Sequence, residues 1–259
     1  MSPFNTYWFF KSALSIEDCN KILSLGKSKL NDLKNQGHNT DAGTKGDNDK
    51  KSFSLDNKKL VPKNDKTMEE IKQEGLSSEE IENKTYIRDS EVCWLDDKWI
   101  FDLIMPFVDE ANFLAGWKYS TSYTESFQFT KYATNQFYGW HQDGNADHID
   151  VYRRYIPGIS PVNKKGEPKM PYTLNKNLVG LARKLSVTIN LSDENDYKGG
   201  NLKFDFGPHS IKERYHTCTE IRPKGSIIVF PSYIYHQVTP ITEGTRYSLV
   251  LWINGKPFK

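Results

Sequence analysis

Two of the six histidines in this chain sit where an imidazole could bind a metal ion. The first belongs to Tyr138-Gly-Trp-His141-Gln-Asp143, which follows a segment that reads as a strand. Alternate side chains of an extended backbone share a face, so His141 and Asp143 would project together. One imidazole and one carboxylate make two-thirds of a facial triad, the ligand set that leaves open positions on a non-haem Fe(II). His236 is the candidate third ligand; it comes after the apolar run Ser-Ile-Ile-Val-Phe (226–230) and the turn-like Pro231-Ser-Tyr. A second His-x-Asp, His148-Ile-Asp150, stands in a loop-like run without a tyrosine nine residues before it, and is set aside. His209 and His216 lie in a polar connection and are expected to face solvent. Asp193, Glu194 and Asp196 read as turn residues.

Arg246 lies ten residues after His236 and opens the last strong strand pattern. A guanidinium directed into a site beside a metal needs an anion, because an unpaired buried charge is prohibitive. Its planar fork suits a carboxylate through two parallel hydrogen bonds. The distal carboxylate of 2-oxoglutarate would satisfy it, with Tyr132 as a candidate phenol donor to the same group. The bland alternatives are a surface Arg246 paired with Glu243 and a Tyr132 that only packs. Tyr138 and Trp140 flank the metal pair as a candidate aromatic wall for substrate. Arg183, at the head of a core strand, is a candidate to point into the site.

These residues need a scaffold that brings distant strands together. Phe127–Tyr132 alternates, as do Leu185, Val187, Ile189 and Leu191, and short strand-like runs follow at 201–206, 226–230, 235–238 and 246–253. Gly199-Gly200 and Lys224-Gly225 supply turn chemistry. Upstream, Tyr7-Trp-Phe-Phe10 suits a strand. Ser15-Ile-Glu-Asp18 reads as a capping box opening a helix over about 15–34, and Trp99, Ile100, Leu103, Ile104, Phe107 and Val108 form the apolar stripe of a second helix over 96–112. Many short strands after a helical N-terminal third imply an α+β, mainly β protein, with helices packed on a β-sandwich or jelly roll.

Composition narrows the function classes. The 259 residues are 37% hydrophobic and 13% aromatic, enough for a sizeable core. A net charge of +2, with no basic aromatic stripe, argues against a nucleic-acid partner. No run approaches the length of a bilayer span, which argues against a membrane protein. The three cysteines, Cys19, Cys93 and Cys218, form no CxxC pair and read as small buried apolar residues. The amino-terminus lacks a basic segment with a cleavage site, so a cytoplasmic location is expected. Residues 35–84 are rich in Lys, Asp and Asn without a sustained period and read as a mobile charged insertion, with a short helix near Met68–Glu74. Residues 144–181 form a long bridge rich in Pro, Gly and Lys, a candidate substrate lid.

Tyr132-x8-His141-x-Asp143 followed by His236-x9-Arg246 resembles the Fe(II)/2-oxoglutarate-dependent oxygenases of the prolyl 4-hydroxylase type, and most nearly their PKHD-type branch. Arg88-x-Ser90 with Trp94-Leu95, Arg183-Lys-Leu-Ser-Val-Thr, Asp196-Tyr-x-Gly-Gly-Asn-Leu and Pro231-Ser are further matching positions. The resemblance covers roughly residues 86–253 of one oxygenase domain spanning 1–259. It implies a double-stranded β-helix core and Fe(II) held by His141, Asp143 and His236. It also implies 2-oxoglutarate and O2 as co-substrates, ascorbate as a candidate addition, and hydroxylation of a prolyl residue in a peptide or protein. A free amino acid or other small molecule is the alternative substrate, and a non-catalytic jelly-roll binding module the alternative of another class.

Overall fold

The computed structural model describes residues 5–45, 53–56, 59–62, 86–145, 148–162, 166, 168–169, 171–207 and 214–258. The chain opens with β1 (Trp8–Phe10) and α1 (Ile16–Asn35). Then come β2 (Asp41–Lys45), β3 (Phe53–Asp56), β4 (Lys59–Pro62), β5 (Tyr86–Leu95) and α2 (Lys98–Leu114). After α2 the chain is built of strands, beginning with β6 (Tyr123–Thr124), β7 (Phe127–Tyr132), β8 (Phe137–His141), β9 (Arg153–Arg154) and β10 (Tyr172–Thr173). There follow β11 (Ala182–Asn190), β12 (Tyr197–Gly199), β13 (Leu202–Asp205) and β14 (Tyr215–Thr217). The last four are β15 (Ile227–Pro231), β16 (Tyr235–Val238), β17 (Ile241–Gly244) and β18 (Arg246–Gly255).

Helix α1 starts where the capping box places it. Ser15 accepts a hydrogen bond from the backbone N–H of Asp18 at 3.0 Å, and its hydroxyl donates back to the Asp18 carboxylate at 2.7 Å. Asp97 caps α2 by position, with no side-chain hydrogen bond. Together the helices bury Cys19, Ile22, Leu30, Ile100, Ile104, Val108 and Ala111 against one face of the sheet.

The main sheet runs β1-β15-β11-β18-β7-β5-β8-β16-β13-β14, with β2 added to β5 and β6 to β18. The half with β15, β11, β18 and β7 is the larger one and carries the helices. The half with β8, β16, β13 and β14 closes over it, giving the curled antiparallel architecture of a jelly roll. Strand β5 joins the halves: Glu91–Leu95 pair with β7, while Arg88 and Asp89 pair with β8.

Strands of the larger half are buried on both faces, and their alternation separates two environments. On β18, Leu249, Leu251 and Ile253 lie in the core beneath the helices, whereas Arg246, Ser248, Val250 and Trp252 line the interior cavity. On β7, Phe127 and Phe129 face the helices, and Gln128 and Tyr132 face the cavity. The period of two thus puts apolar side chains under the helices and polar ones inside the roll.

The region 35–84, read from composition as a mobile charged insertion, carries three strands among its described residues. Asp41–Lys45 pairs antiparallel with β5, and β3 pairs with β4. Backbone pairing to an existing sheet edge supplies order that a polar composition does not advertise. The short helix expected near Met68–Glu74 lies outside the described residues, as does His209. In the 144–181 bridge, β9 and β10 pair in parallel and the backbone of Tyr152 is hydrogen-bonded to Leu181 and Gly180.

Candidate metal centre

His141 is the last residue of β8, and His236 is its direct partner on the neighbouring β16. Asp143 lies two residues beyond the strand end. Its backbone N–H and that of Gly144 both donate to the Ser232 carbonyl, at 3.0 and 3.2 Å. Ser232 is in turn tied to β11 through a 3.0 Å hydrogen bond with Ser186. This anchorage turns the Asp143 carboxylate back toward the two rings. His141 Nε2 is 3.5 Å from one carboxylate oxygen and His236 Nε2 is 3.6 Å from the other. One donor atom from each residue lies within 4.8 Å of the others, and among the described residues no other group of three His, Cys, Asp or Glu does this.

The electrostatics favour a cation-binding form. Burial, reinforced by neighbouring His141, pushes the His236 imidazole down to about 4, leaving it neutral near pH 7. Burial alone would raise the Asp143 carboxyl, but the facing His236 and His141 and the nearby Arg183 outweigh it and hold the group well below the usual carboxylate range. Two imidazole nitrogens and one carboxylate oxygen form the donor set that suits Fe(II) with open positions.

Tyr138 lies flat on His141, with ring centroids 3.5 Å apart and planes at 10°. In an unbroken strand these two residues would face opposite ways. The β8–β16 register shifts between His236 and Val238, so that three residues of β8 span two of β16. That extra residue brings Tyr138 to the His141 side, where burial pushes its phenol up to about 12. Trp140 stays on the other side, 5.2 Å from the Tyr215 ring, and does not line the cavity. Of the two aromatic candidates, only Tyr138 lines the cavity.

Arg246 is 1% exposed and faces the same cavity. Its one side-chain hydrogen bond among the described residues is a long one, from Nη1 to Ser248 Oγ at 3.5 Å, and its Nε has no acceptor there. Glu243, the alternative partner read from sequence, pairs with Lys198 instead. A buried guanidinium so poorly satisfied fits an anionic ligand in the cavity. Tyr132 is Arg246's direct cross-strand neighbour, with the guanidinium carbon 5.9 Å from its ring. Burial raises its phenol, which stays protonated and able to donate.

Arg183 does not line the cavity. It makes a two-pronged ion pair with Glu125, at 2.8 and 2.7 Å, and lies over the Trp252 ring at 4.0 Å. A third contact runs from its Nη1 to the Asp143 carbonyl at 3.3 Å, so it braces the loop carrying the carboxylate. His216, expected in solvent, is half-buried: it hydrogen-bonds Tyr7 Oη at 3.0 Å and stacks on Phe206. His148 is exposed and stands apart from the three-donor cluster, and Asp193 accepts from the Asn195 backbone as a turn residue should. All three cysteines are buried and free.

Reading along the chain passes over Glu125 and, as cavity residues, Arg88, Gln128, Thr188 and Ser248. The available signal was polar side chains at alternate positions of strands whose other positions are Phe, Leu and Ile.

A sequence model described as the 2OG-Fe(II) oxygenase superfamily matches residues 127–254, the stretch that holds all three donors and Arg246. Over this stretch the chain is similar to that superfamily, and the curated relatives it matches are PKHD-type hydroxylases. It is 27% identical over 130 residues to a PKHD-type hydroxylase of Xylella fastidiosa, covering 49% of this chain and 44% of that protein. It is 40% identical over 73 residues to a PKHD-type hydroxylase of Synechococcus, covering 28% and 30%. The chain thus spans less than half the length of these relatives. The fold is shared with a viral collagen prolyl hydroxylase from Paramecium Bursaria Chlorella virus-1 in a 2OG complex (TM-score 0.51, 16% identity, 97% of both chains). It is also shared with a Trichoplax adhaerens prolyl hydroxylase in complex with a hypoxia inducible factor peptide fragment (TM-score 0.52, 13% identity, 96% and 83%).

Proposed function

We propose that this protein is a non-haem Fe(II)- and 2-oxoglutarate-dependent dioxygenase that hydroxylates a C–H bond of a prolyl residue in a peptide or protein. The observation that carries the reading is the pairing, in one cavity, of the His141–Asp143–His236 donor cluster with a buried, poorly partnered Arg246. When bound, metal and co-substrates would supply the oxidising chemistry: 2-oxoglutarate and O2 give succinate and CO2, and one oxygen atom enters the C–H bond.

The chain's own residues have separable tasks. His141, Asp143 and His236 would hold the metal through two Nε2 atoms and a carboxylate oxygen. Arg246 would take the distal carboxylate of 2-oxoglutarate, with the protonated Tyr132 beside it as a second donor. Tyr138 holds the His141 ring in plane, and Val187, Phe230, Val238 and Val250 keep the cavity wall apolar. The prolyl part of the proposal leans on the names of similar proteins, and on prolyl hydroxylases that share the fold.

The test is reconstitution with Fe(II) under anaerobic conditions, followed by O2, 2-oxoglutarate and proline-containing peptides, with ascorbate present or withheld. Succinate should form in step with a peptide product heavier by one oxygen atom on proline. Succinate coupled only to a free amino acid would move the substrate assignment. No succinate under any condition would leave a binding module. No helix among the described residues is long and apolar enough to cross a membrane.

A further inference from the structure

Arg88 is 8% exposed and lines the same cavity, yet no carboxylate lies within ion-pair distance of it among the described residues. Its Nε donates to Ser90 Oγ at 2.9 Å and one Nη2 proton goes to Gln128 Oε1 at 2.7 Å. Both partners are neutral. A guanidinium has five N–H donors, so these two contacts fix its orientation and leave an edge to bond something else.

The charges of the cavity make that edge informative. Among the residues that line it, Arg88, Arg246 and Asp143 are the ones that carry charge once the imidazoles are neutral. Arg183 is already neutralised by Glu125 and lies outside the cavity. A ferrous ion adds two positive charges and 2-oxoglutarate cancels two, so the loaded site keeps one positive charge. Of the two co-substrate carboxylates, one would go to the metal and the other would satisfy a single arginine. Arg246, with an orphaned Nε, has the greater need of it.

Position points the same way. Arg88 lies 4.7 Å above the Tyr138 ring, and the Tyr138 ring lies 3.5 Å from that of His141. The order guanidinium, phenol, imidazole puts Arg88 one ring away from a candidate metal-binding residue. It stands on β5, next to β8, whereas Arg246 stands on β18, two strands farther along the sheet.

We infer that Arg88 is a specificity determinant for a substrate bearing its own carboxylate within reach of the oxidised carbon; this rests on the 2-oxoglutarate reading above. The carboxylate can be the α-carboxylate of a free amino acid or C-terminal residue, or an acidic side chain beside a prolyl residue. Its chemistry is the same in both cases: two parallel charge-assisted hydrogen bonds to the guanidinium donors that Ser90 and Gln128 do not take up.

Acid and amide pairs test this on the full chain loaded with Mn(II) and 2-oxoglutarate, which permits binding without turnover. The probes are free L-amino acids, L-proline among them, against their amides, and acetyl-Ala-Pro-Asp-amide against acetyl-Ala-Pro-Asn-amide. Calorimetry should give a preference of roughly tenfold or more for the acid in at least one pair, as expected for a hydrogen bond to a charged group. Whichever pair discriminates identifies the source of the carboxylate. The preference should collapse in Arg88→Gln and survive in part in Arg88→Lys. Equal binding of acid and amide in every pair, no binding by any acid at millimolar concentration, or an undiminished preference in Arg88→Gln would overturn the inference. Loss of 2-oxoglutarate binding itself in Arg88→Gln, read in the same instrument without probe, would also overturn it by placing Arg88 on the co-substrate. Failure of wild-type protein to bind 2-oxoglutarate would instead sink the co-substrate reading.

Discussion

His141 and His236 face each other across adjacent strands with ring centroids 4.1 Å apart, and each ties its Nδ1 to the carbonyl two residues earlier. The distances are 2.8 Å to Gly139 and 2.9 Å to Ile234. A carbonyl oxygen can only accept, so each Nδ1 carries a proton, and in the neutral ring the lone pair is left on Nε2. The tautomer needed for metal binding is set by the backbone before any metal arrives. Removing one donor should therefore cost affinity without unfolding the site. We expect His141→Ala and Asp143→Ala to weaken Mn(II) binding by roughly 100-fold or more, with succinate formation abolished. Titration calorimetry checks the first and product analysis the second. Tight binding retained in both variants would remove the metal assignment.

Arg246→Ala should act on the co-substrate and leave the metal in place. A hydrogen bond to a charged group contributes about 1.5–3 kcal/mol, which corresponds to roughly 10- to 150-fold in affinity. The 2-oxoglutarate requirement should rise by that range, measured as KM or as binding to the Mn(II) form. An unchanged requirement would place the co-substrate carboxylate elsewhere.

Arg183 and Glu125 brace the Asp143 loop from behind. Arg183→Met keeps much of the packing on Trp252 but deletes the ion pair and the contact to the Asp143 carbonyl. Loss of such support commonly lowers metal affinity about 10- to 100-fold. We expect a fall in that range for Mn(II), with a smaller effect in Glu125→Gln. Affinity equal to wild type in Arg183→Met would show that Ser232 alone positions the loop.

Gly26 is the point where α1 meets the sheet. A Cβ at this position would run into the Phe129 ring, which is 0% exposed and cannot swing aside. Gly26→Ala should therefore destabilise by about 1–3 kcal/mol, despite alanine's better helix propensity, because overpacking outweighs it. Urea denaturation measures the change. A stabilised variant would mean that α1 can shift along β7.

Two thiols make the alkaline limit of stability testable. Burial pushes Cys93 from 9.0 up to about 11, and burial with nearby Glu220 pushes Cys218 up to about 12. Each folded value lies above the unfolded one. Their stability contribution is thus intact below about pH 9 and is lost as pH climbs through 11–12, because the unfolded chain gives up the proton first. Thermal melts should fall above pH 9, and less so in Cys93→Ala once its lower starting stability is allowed for. At about pH 8, well below either thiol's folded value, iodoacetamide should label neither in the folded protein, as read by mass spectrometry. Rapid labelling would contradict the burial.

Much of the candidate chemistry is readable along the chain because it depends on residue type and spacing. His141, Asp143, His236 and Arg246 stand out since a metal and a carboxylate ligand each demand particular side chains at suitable spacing, although Asp143 reaches the rings through a loop held by Ser232 and not by strand alternation. The two helices are readable from the Ser15 cap and from the apolar stripe of Trp99 to Val108. Trp140 and Arg183 are misplaced by the same reading for the opposite reason. A one-residue bulge between Tyr138 and His141 settles which aromatic ring reaches the cavity, and an acidic partner 58 residues away settles where Arg183 points.

The donor set, the strand periodicity and the need for a fold that joins remote strands are already written in the residues, since all three follow from side-chain chemistry and local backbone preference. Other features exist only once the chain is folded. Strand β5 bridges the two halves of the roll, pairing with β7 at one end and β8 at the other. Arg88 on that strand ends up buried beside the candidate donors, held by Ser90 and Gln128 rather than by a carboxylate. Register and burial arise from contacts between segments far apart in the chain, and local preference carries no information about them.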